Sequence, residues 1–97
     1  MSRTLTARAR SRLKARAHAL EPTVAIGQEG LTDAVLNEID RALTAHELIK
    51  VRAAGADREA RRLALQTICE RTGAAPVQQV GRILVLWRPR PDAPGEA

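Results

Sequence analysis

Two glycines separated by two residues, in the stretch Gly27-Gln28-Glu29-Gly30, suggest chemistry with an anion. They follow the apolar run 24–26 and precede residues typical of a helix start. At a helix N-terminus, unpaired backbone N–H groups and the positive end of the helix dipole favour an anion, above all a phosphate. Glycine also serves an ordinary strand–helix turn, because it adopts positive φ without steric cost. The pattern therefore fits either a turn or a phosphate-binding loop.

The loop lacks the signatures of nucleotide-binding sites. No Gly-Lys-Ser/Thr follows, as a Walker loop requires, and the third glycine of the dinucleotide fingerprint is absent. A GxxG loop that clamps a nucleic-acid backbone without a nucleotide pocket is the arrangement found in KH domains. A backbone phosphate is therefore the candidate ligand. Glu29 would stand beside it, either pointing away or weakening the contact.

Basic residues are the second chemical feature, and they are unevenly distributed. Residues 1–20 carry six Lys/Arg and no acid, and residues 21–48 carry six acids against Arg41. Residues 49–87 return to seven Lys/Arg against three acids. The net charge of +5 thus separates into basic and acidic regions, as expected of a protein that orients itself on a polyanion. Charge alone supports RNA, DNA and an anionic membrane surface equally.

Length and composition restrict the remaining function classes. The 97 residues are enough for one domain, and the apolar fraction of 44% is that of a globular protein. Cys69 is the single cysteine, which excludes an internal disulfide and a multi-cysteine metal site. No apolar run approaches the roughly 18–20 residues of a membrane span, and no signal-peptide core is visible. We expect a cytoplasmic protein without a cofactor.

Three helices and four strands are predicted to position these groups. Apolar spacing predicts helices over 4–19, 32–46 and from Asp57 to about 72, and strands at 23–26, 48–53, 77–80 and 83–87. Thr32 and Asp57 are candidate N-caps, and Gly73 is a candidate C′ residue. The order α-β-α-β-α-β-β predicts an α/β fold with a mixed four-stranded sheet. Helix connections should join paired parallel strands, and a Gly81-Arg82 turn should close an antiparallel hairpin.

Charged and apolar residues occupy defined faces of the predicted helices. The two flanks of the first helix carry Arg8, Arg12 and Arg16 on one side and Arg10 and Lys14 on the other. The outer face of the second helix should repel nucleic acid, because it holds Asp33, Asn37, Asp40 and Thr44. The inner side of the third helix is predicted to comprise Ala60, Leu63, Ala64, Leu65 and Ile68, with Arg58 and Arg62 pointing away.

Several strings at a fixed mutual spacing resemble the CRM domain (chloroplast RNA splicing and ribosome maturation). They are AHALEP at 17–22, IGQEGLT at 26–32, VLNEI at 35–39, HELIKV at 46–51, DRE at 57–59 and VQQVGRILVLWRP at 77–89. The resemblance covers about residues 4–89 and points to the stand-alone bacterial, YhbY-type members. It implies an RNA-binding domain rather than an enzyme. It also implies a fold similar to the C-terminal domain of a bacterial translation initiation factor.

The same resemblance implies a target and a set of contact residues. Bacterial single-domain members associate with precursors of the large ribosomal subunit, so ribosomal RNA or a precursor particle is the expected partner. Gly27 and Gly30 match the loop glycines thought to contact RNA, with Gln28 between them. The basic companions are Arg8, Arg12, Lys14, Arg16, Lys50 and Arg52. We predict a monomeric RNA-binding domain over 3–89 that assists large-subunit assembly, a loosely held chain from Arg88, and a flexible Pro-rich tail over 90–97.

Other function classes stay open on sequence grounds. A protein-interaction module on a ribosomal or other RNA particle would use the acidic outer face of the second helix against a basic partner. An enzyme is poorly supported, because the sequence shows no clustered carboxylates at metal spacing, no activated nucleophile and no cofactor loop. DNA is a further alternative ligand, since recognition of a 2′-hydroxyl cannot be read from a sequence.

Overall fold

A mixed four-stranded sheet with helices on both faces forms the structure, a computed structural model that describes residues 4–55 and 57–90. The elements are α1 (Ala7–Ala17), β1 (Pro22–Ile26), α2 (Asp33–His46), β2 (Leu48–Ala53), α3 (Arg58–Thr72), β3 (Ala75–Val80) and β4 (Ile83–Trp87). The predicted α/β class and element order are confirmed.

Each helix begins at a side chain that caps it. The caps are Thr6, Thr32 and Asp57, whose oxygens accept hydrogen bonds from the N–H groups of Ala9, Val35 and Ala60 at 3.1, 3.1 and 2.7 Å. The cap at position 6 is why α1 starts at Ala7 rather than near residue 4. The C-terminus of α3 is Gly73, whose φ of +77° lies in the left-handed region that glycine adopts without a Cβ penalty.

The strand order in the sheet is β1-β2-β4-β3. β1 and β2 pair in parallel across α2, whereas β4 runs antiparallel to both β2 and β3. The prediction of paired parallel strands is therefore confirmed for α2 and wrong for α3, because β4 lies between β2 and β3. The apolar run of β4 explains this place: Leu84, Val85 and Leu86 are at most 2% exposed, which only an inner strand covered on both faces allows.

Both outer strands contain a proline and an irregularity in their pairing. The register of β1 against β2 shifts between Pro22 and Val24, and that of β3 against β4 shifts between Pro76 and Gln78. Proline has no N–H to donate to a ladder, so it is tolerated at the edge of a sheet.

The two faces of the sheet have separate apolar cores. The larger core joins the sheet to α2 and α3 and is centred on Ile39, Leu43, Val51, Ile68 and Leu84. The smaller core joins the sheet to α1 and comprises Leu13, Ala17, Leu48, Val77 and Val85. Because side chains alternate along a strand, the positions of β2 between its apolar residues face α1.

The inner side of α3 differs from the prediction. Leu65, Ile68 and Cys69 are buried, but Leu63 is 49% exposed. Residues two apart on a helix are separated by about 200° around its axis, so Leu63 and Leu65 cannot face the same core. The helix thus buries a narrower stripe than its apolar content suggests.

Arg88 and Arg90 are tied to the helices, contrary to the expectation of a loose chain from Arg88. Arg88 donates to Asp40 Oδ1 at 2.7 Å and to Thr72 O at 2.8 Å, and it thereby links α2 to α3. Arg90 donates to the carbonyl oxygens of Thr44 and Ala45 in the last turn of α2. A cation at this place complements the negative end of the helix dipole. Residues 91–97, the rest of the predicted tail, lie outside the described residues.

Candidate nucleic-acid interface

Helix α1 presents basic side chains on both flanks of a narrow apolar stripe. Ala9, Leu13 and Ala17 are its buried residues. On one flank the residues Arg8, Arg12 and Arg16 are exposed, and on the other Arg10 and Lys14 are half-buried. The helix contains no acidic residue, so no carboxylate within it competes for these cations. The helix can therefore offer several guanidinium groups to an anionic surface.

Strand β2 adds two basic side chains to the face that α1 covers. Lys50 Nζ donates to the carbonyl oxygen of Leu20 at 3.0 Å, which holds the lysine against the connection between α1 and β1. Lys14 and Lys50 line a common depression of about 210 Å³. Arg52, two residues further along the strand, is exposed and lines a shallow groove beside β1. The structure thus brings Lys14 and Lys50 together, with Arg52 on the same side of the sheet.

The loop between β1 and α2 is a hydrogen-bonded turn. Gly30 N–H donates to Gly27 O at 3.1 Å, and Thr32 N–H donates to Gly30 O at 3.0 Å. Gly30 has a φ of +77°, a conformation that favours glycine, whereas Gly27 is not among the residues with positive φ. Gln28 and Glu29 are exposed at the tip. Turn geometry therefore accounts for Gly30 but leaves Gly27 without a conformational reason.

The acidic residues of α2 lie on the opposite side of the sheet. Asp33, Glu38 and Asp40 are exposed on α2, which packs against the face that α1 does not cover. Asp40 is engaged by Arg88 in an ion pair of 2.7 Å. The sheet thus separates these acidic residues of α2 from the basic residues of α1 and β2.

The loop 27–30 shares one edge of the sheet, formed by the ends of the strands, with the turn at 54–55 that follows β2 and with the β3–β4 turn. Ile26, the last residue of β1, pairs with Ala53, the last residue of β2. Ala53 N–H in turn donates to Arg82 O at 2.7 Å, which ties the β3–β4 turn to the same edge. We call this row of turns the loop edge. Sequence reasoning did not include Arg82 among the candidate site residues, although its place in a predicted Gly-Arg turn was a usable signal.

The described parts of the chain offer little to catalysis. Within residues 4–55 and 57–90, no group of three or more His, Cys, Asp and Glu side chains could hold a metal ion. Burial, with a smaller contribution from Glu70, raises the pKa of the Cys69 thiol to about 12. A thiol with such a pKa is a poor nucleophile at neutral pH, since the thiolate is the reactive form. Among the same residues, no helix has the length and apolar character needed to cross a bilayer.

Comparisons with known proteins show the family to which the chain is related. The model of the CRS1/YhbY (CRM) domain family matches residues 5–88. A protein of Haemophilus influenzae named an RNA-binding protein is 51% identical over 90 residues, which cover 93% of this chain and 91% of the relative. A protein of Pseudomonas aeruginosa named a probable RNA-binding protein is 38% identical over 87 residues, covering 90% of this chain and 84% of the relative.

A solved structure of a related protein has the same fold. It is the solution structure of a hypothetical protein of Staphylococcus aureus, thought to bind RNA, and it superposes with a TM-score of 0.82 at 28% identity. The match covers 92% of this chain and 93% of that protein. With the family model spanning residues 5–88, the chain belongs to the CRS1/YhbY (CRM) domain family.

Proposed function

We propose that this protein binds structured RNA through the face of the sheet that α1 covers. The observation that carries the proposal is the segregation of charge. Basic side chains of α1 and β2 share one face, while the exposed acids of α2 lie on the other. Relatives named RNA-binding proteins support RNA as the polyanion.

The contact residues of the proposed interface follow from this face. Arg8, Arg12 and Arg16 would contact phosphates, since a guanidinium group can donate two parallel hydrogen bonds to phosphate oxygens. Lys14, Lys50 and Arg52 would extend the contact over the sheet, with Lys50 also fixing the chain at Leu20. Neutralising six to eight phosphates would make affinity fall steeply as salt concentration rises.

The loop 27–30 is the second part of the proposed interface. A Cβ built at Gly27 or Gly30 meets no atom within 4 Å, so this backbone is open to close approach from outside. An RNA backbone kink could lie against Gly27 and Gln28, while the N–H groups of Gly30 and Thr32 remain committed to the turn. Phosphate contacts position a protein without reading sequence, so selectivity would arise from RNA shape.

The cellular role that we propose is assistance in large ribosomal subunit assembly in the cytoplasm, with the protein acting as a monomer on ribosomal RNA or precursor particles. The CRM resemblance supports this target. The alternative, a protein-interaction module that uses the acidic face of α2, has less support because the carboxylate of Asp40 is already paired with Arg88. A test of that alternative should neutralise Asp33 and Glu38, which are exposed.

The deciding experiment measures affinity for fragments of large-subunit ribosomal RNA by fluorescence anisotropy between about 50 and 200 mM salt. The native chain is compared with Arg12/Arg16→Ala and with the charge-matched control Arg41/Arg71→Ala. These control arginines are exposed on α2 and at the end of α3. We expect Arg12/Arg16→Ala to flatten the slope of log K against log salt by about 2, roughly 1 per lost phosphate contact.

Two results would contradict the proposal. One is an equal loss of affinity in the Arg12/Arg16→Ala and Arg41/Arg71→Ala variants, which would show that only net charge matters. The other is binding of duplex DNA of equal charge as tightly as the ribosomal RNA fragments.

A further inference from the structure

A second basic cleft lies between the N-terminal half of α3 and the β3–β4 turn, away from α1. It has a volume of about 510 Å³ and is lined by Arg58, Glu59, Arg61, Arg62, Gln79 and Gly81. Gln79 Nε2 donates to Arg58 O at 3.2 Å, which fixes the start of α3 against β3. We call this feature the α3 cleft.

The charges of the α3 cleft run against the preference of its own helix. Three arginines occupy the first five residues of α3, at the positive end of the helix dipole, where cations are disfavoured. The carboxylate of Asp57 is used as the N-cap, and that of Glu59 pairs with Arg62 at 2.6 Å. Both side chains of this pair are more than half exposed, so it offsets only part of the unfavourable interaction between the cations and the dipole. An anion entering the cleft would be favoured by the arginines and by the dipole together.

The α3 cleft is continuous with the loop edge. Gly81 lines the cleft, and the following residue, Arg82, accepts a hydrogen bond from Ala53 N–H at 2.7 Å. Ala53 is the neighbour of Ile26, from which the loop 27–30 departs. Three strand spacings of about 4.8 Å separate β1 from β3, so loop and cleft are about 15 Å apart across the edge. That span corresponds to about four successive phosphates of one strand, at roughly 3.4 Å each along the helix axis.

We propose that the α3 cleft binds backbone phosphates of the same RNA that contacts α1, so that the RNA crosses the loop edge and is held on both sides of the sheet. This inference rests on the proposed function. It adds Arg58, Arg62 and Arg82 to the interface. Glu59 acts in it as a charge that limits affinity, since its carboxylate stands at the cleft and occupies Arg62.

The test uses the full chain, the same ribosomal RNA fragments and the same control variant, Arg41/Arg71→Ala. Arg58/Arg62→Ala removes two charges from the cleft. Both side chains are exposed, so loss of the surface Glu59–Arg62 pair should lower the melting temperature by only a few degrees. We expect about tenfold weaker binding than for the control and a salt slope flatter by about 1 to 2. Glu59→Gln should change affinity in the opposite direction, tightening binding about two- to fivefold at low salt.

The outcomes separate this inference from the proposed function. The inference is overturned if Arg58/Arg62→Ala binds like the control, or if Glu59→Gln does not tighten binding, while Arg12/Arg16→Ala still loses affinity. In that case RNA binding through α1 stands alone. If the native chain shows no preference for the ribosomal RNA over duplex DNA, the proposed function itself fails. Weaker binding by the first variant together with tighter binding by Glu59→Gln supports the inference.

Discussion

Gly27 and Gly30 are the first and last residues of the same loop, yet their replacement by alanine should have opposite effects on stability. Gly30 has a φ of +77°, so an alanine there costs about 1–2 kcal/mol of folding free energy. Gly27 does not have a positive φ, and a Cβ at this position would meet no atom within 4 Å. Gly27→Ala should therefore stabilise the fold by about 0.4–1 kcal/mol, because it restricts the unfolded chain. At about 4–8 °C per kcal/mol, Gly30→Ala should melt roughly 4–16 °C below the native chain.

Because position 27 tolerates a side chain, it allows the chemistry of the loop to be tested in a folded protein. Gly27→Asp would place a carboxylate beside the proposed phosphate. At about 4 Å, two like unit charges repel by about 1 kcal/mol in bulk water and about 4 kcal/mol at an effective dielectric constant of 20. Even the smaller value weakens binding about fivefold. Glu29→Gln removes an exposed acid from the same loop and should strengthen binding.

The assay combines anisotropy titrations of large-subunit ribosomal RNA fragments with thermal melts followed by circular dichroism. Gly27→Asn is the matched control, since it has the shape of the aspartate without its charge. Equal affinities of Gly27→Asp and Gly27→Asn would refute the phosphate contact and leave the loop as a turn. A melt of Gly27→Ala as low as that of Gly30→Ala would refute the conformational reasoning.

Three further predictions concern stability. Arg88→Gln should lower the free energy of unfolding in urea by about 2–3 kcal/mol, because the native side chain is only 17% exposed and donates to carboxylate and backbone oxygens of two helices. Arg90→Gln should lower it by less than about 1 kcal/mol, because the native Arg90 side chain is 51% exposed. Glu47 has a φ of +67°, so the free energy of unfolding in urea should be about 1 kcal/mol larger for Glu47→Gly than for Glu47→Ala. The reverse order would contradict backbone strain at this residue. The pKa of the Cys69 thiol is 9.0 in the unfolded chain and about 12 in the folded one. The free energy of unfolding of the native chain relative to Cys69→Ala should therefore be constant below about pH 8 and decline as pH rises from 9 toward 12. A difference that does not depend on pH over that range would show that folding does not raise this pKa.

Local features of the fold were predictable because their causes are local. A hydroxyl or carboxylate at Thr32 and Asp57 caps whichever helix follows, and Gly73 ends α3 for a reason contained in its own backbone. The alternation of β2 likewise indicated that Lys50 and Arg52 share one face. These arguments need no knowledge of distant residues.

Long-range relations were beyond the same arguments. A short turn shows that β4 pairs with β3, but nothing in the turn shows that the other edge of β4 pairs with β2. The position of α1 depends on which face α2 and α3 leave free, and that choice creates the basic surface with Lys50 and Arg52. The α3 cleft requires the β3–β4 turn to meet the start of α3, two segments more than twenty residues apart along the chain.

The prolines of the two outer strands bear on self-association. An exposed strand edge is a template on which a second chain can add, and long runs of such addition lead to aggregates. Here Pro22 and Pro76 each remove a donor from an edge strand, and the register shift beside each proline interrupts the regular pairing of that strand. Lateral growth of the sheet is thus disfavoured on both sides. A polyanion that binds many copies would then raise the local concentration of the protein without causing fibres to form.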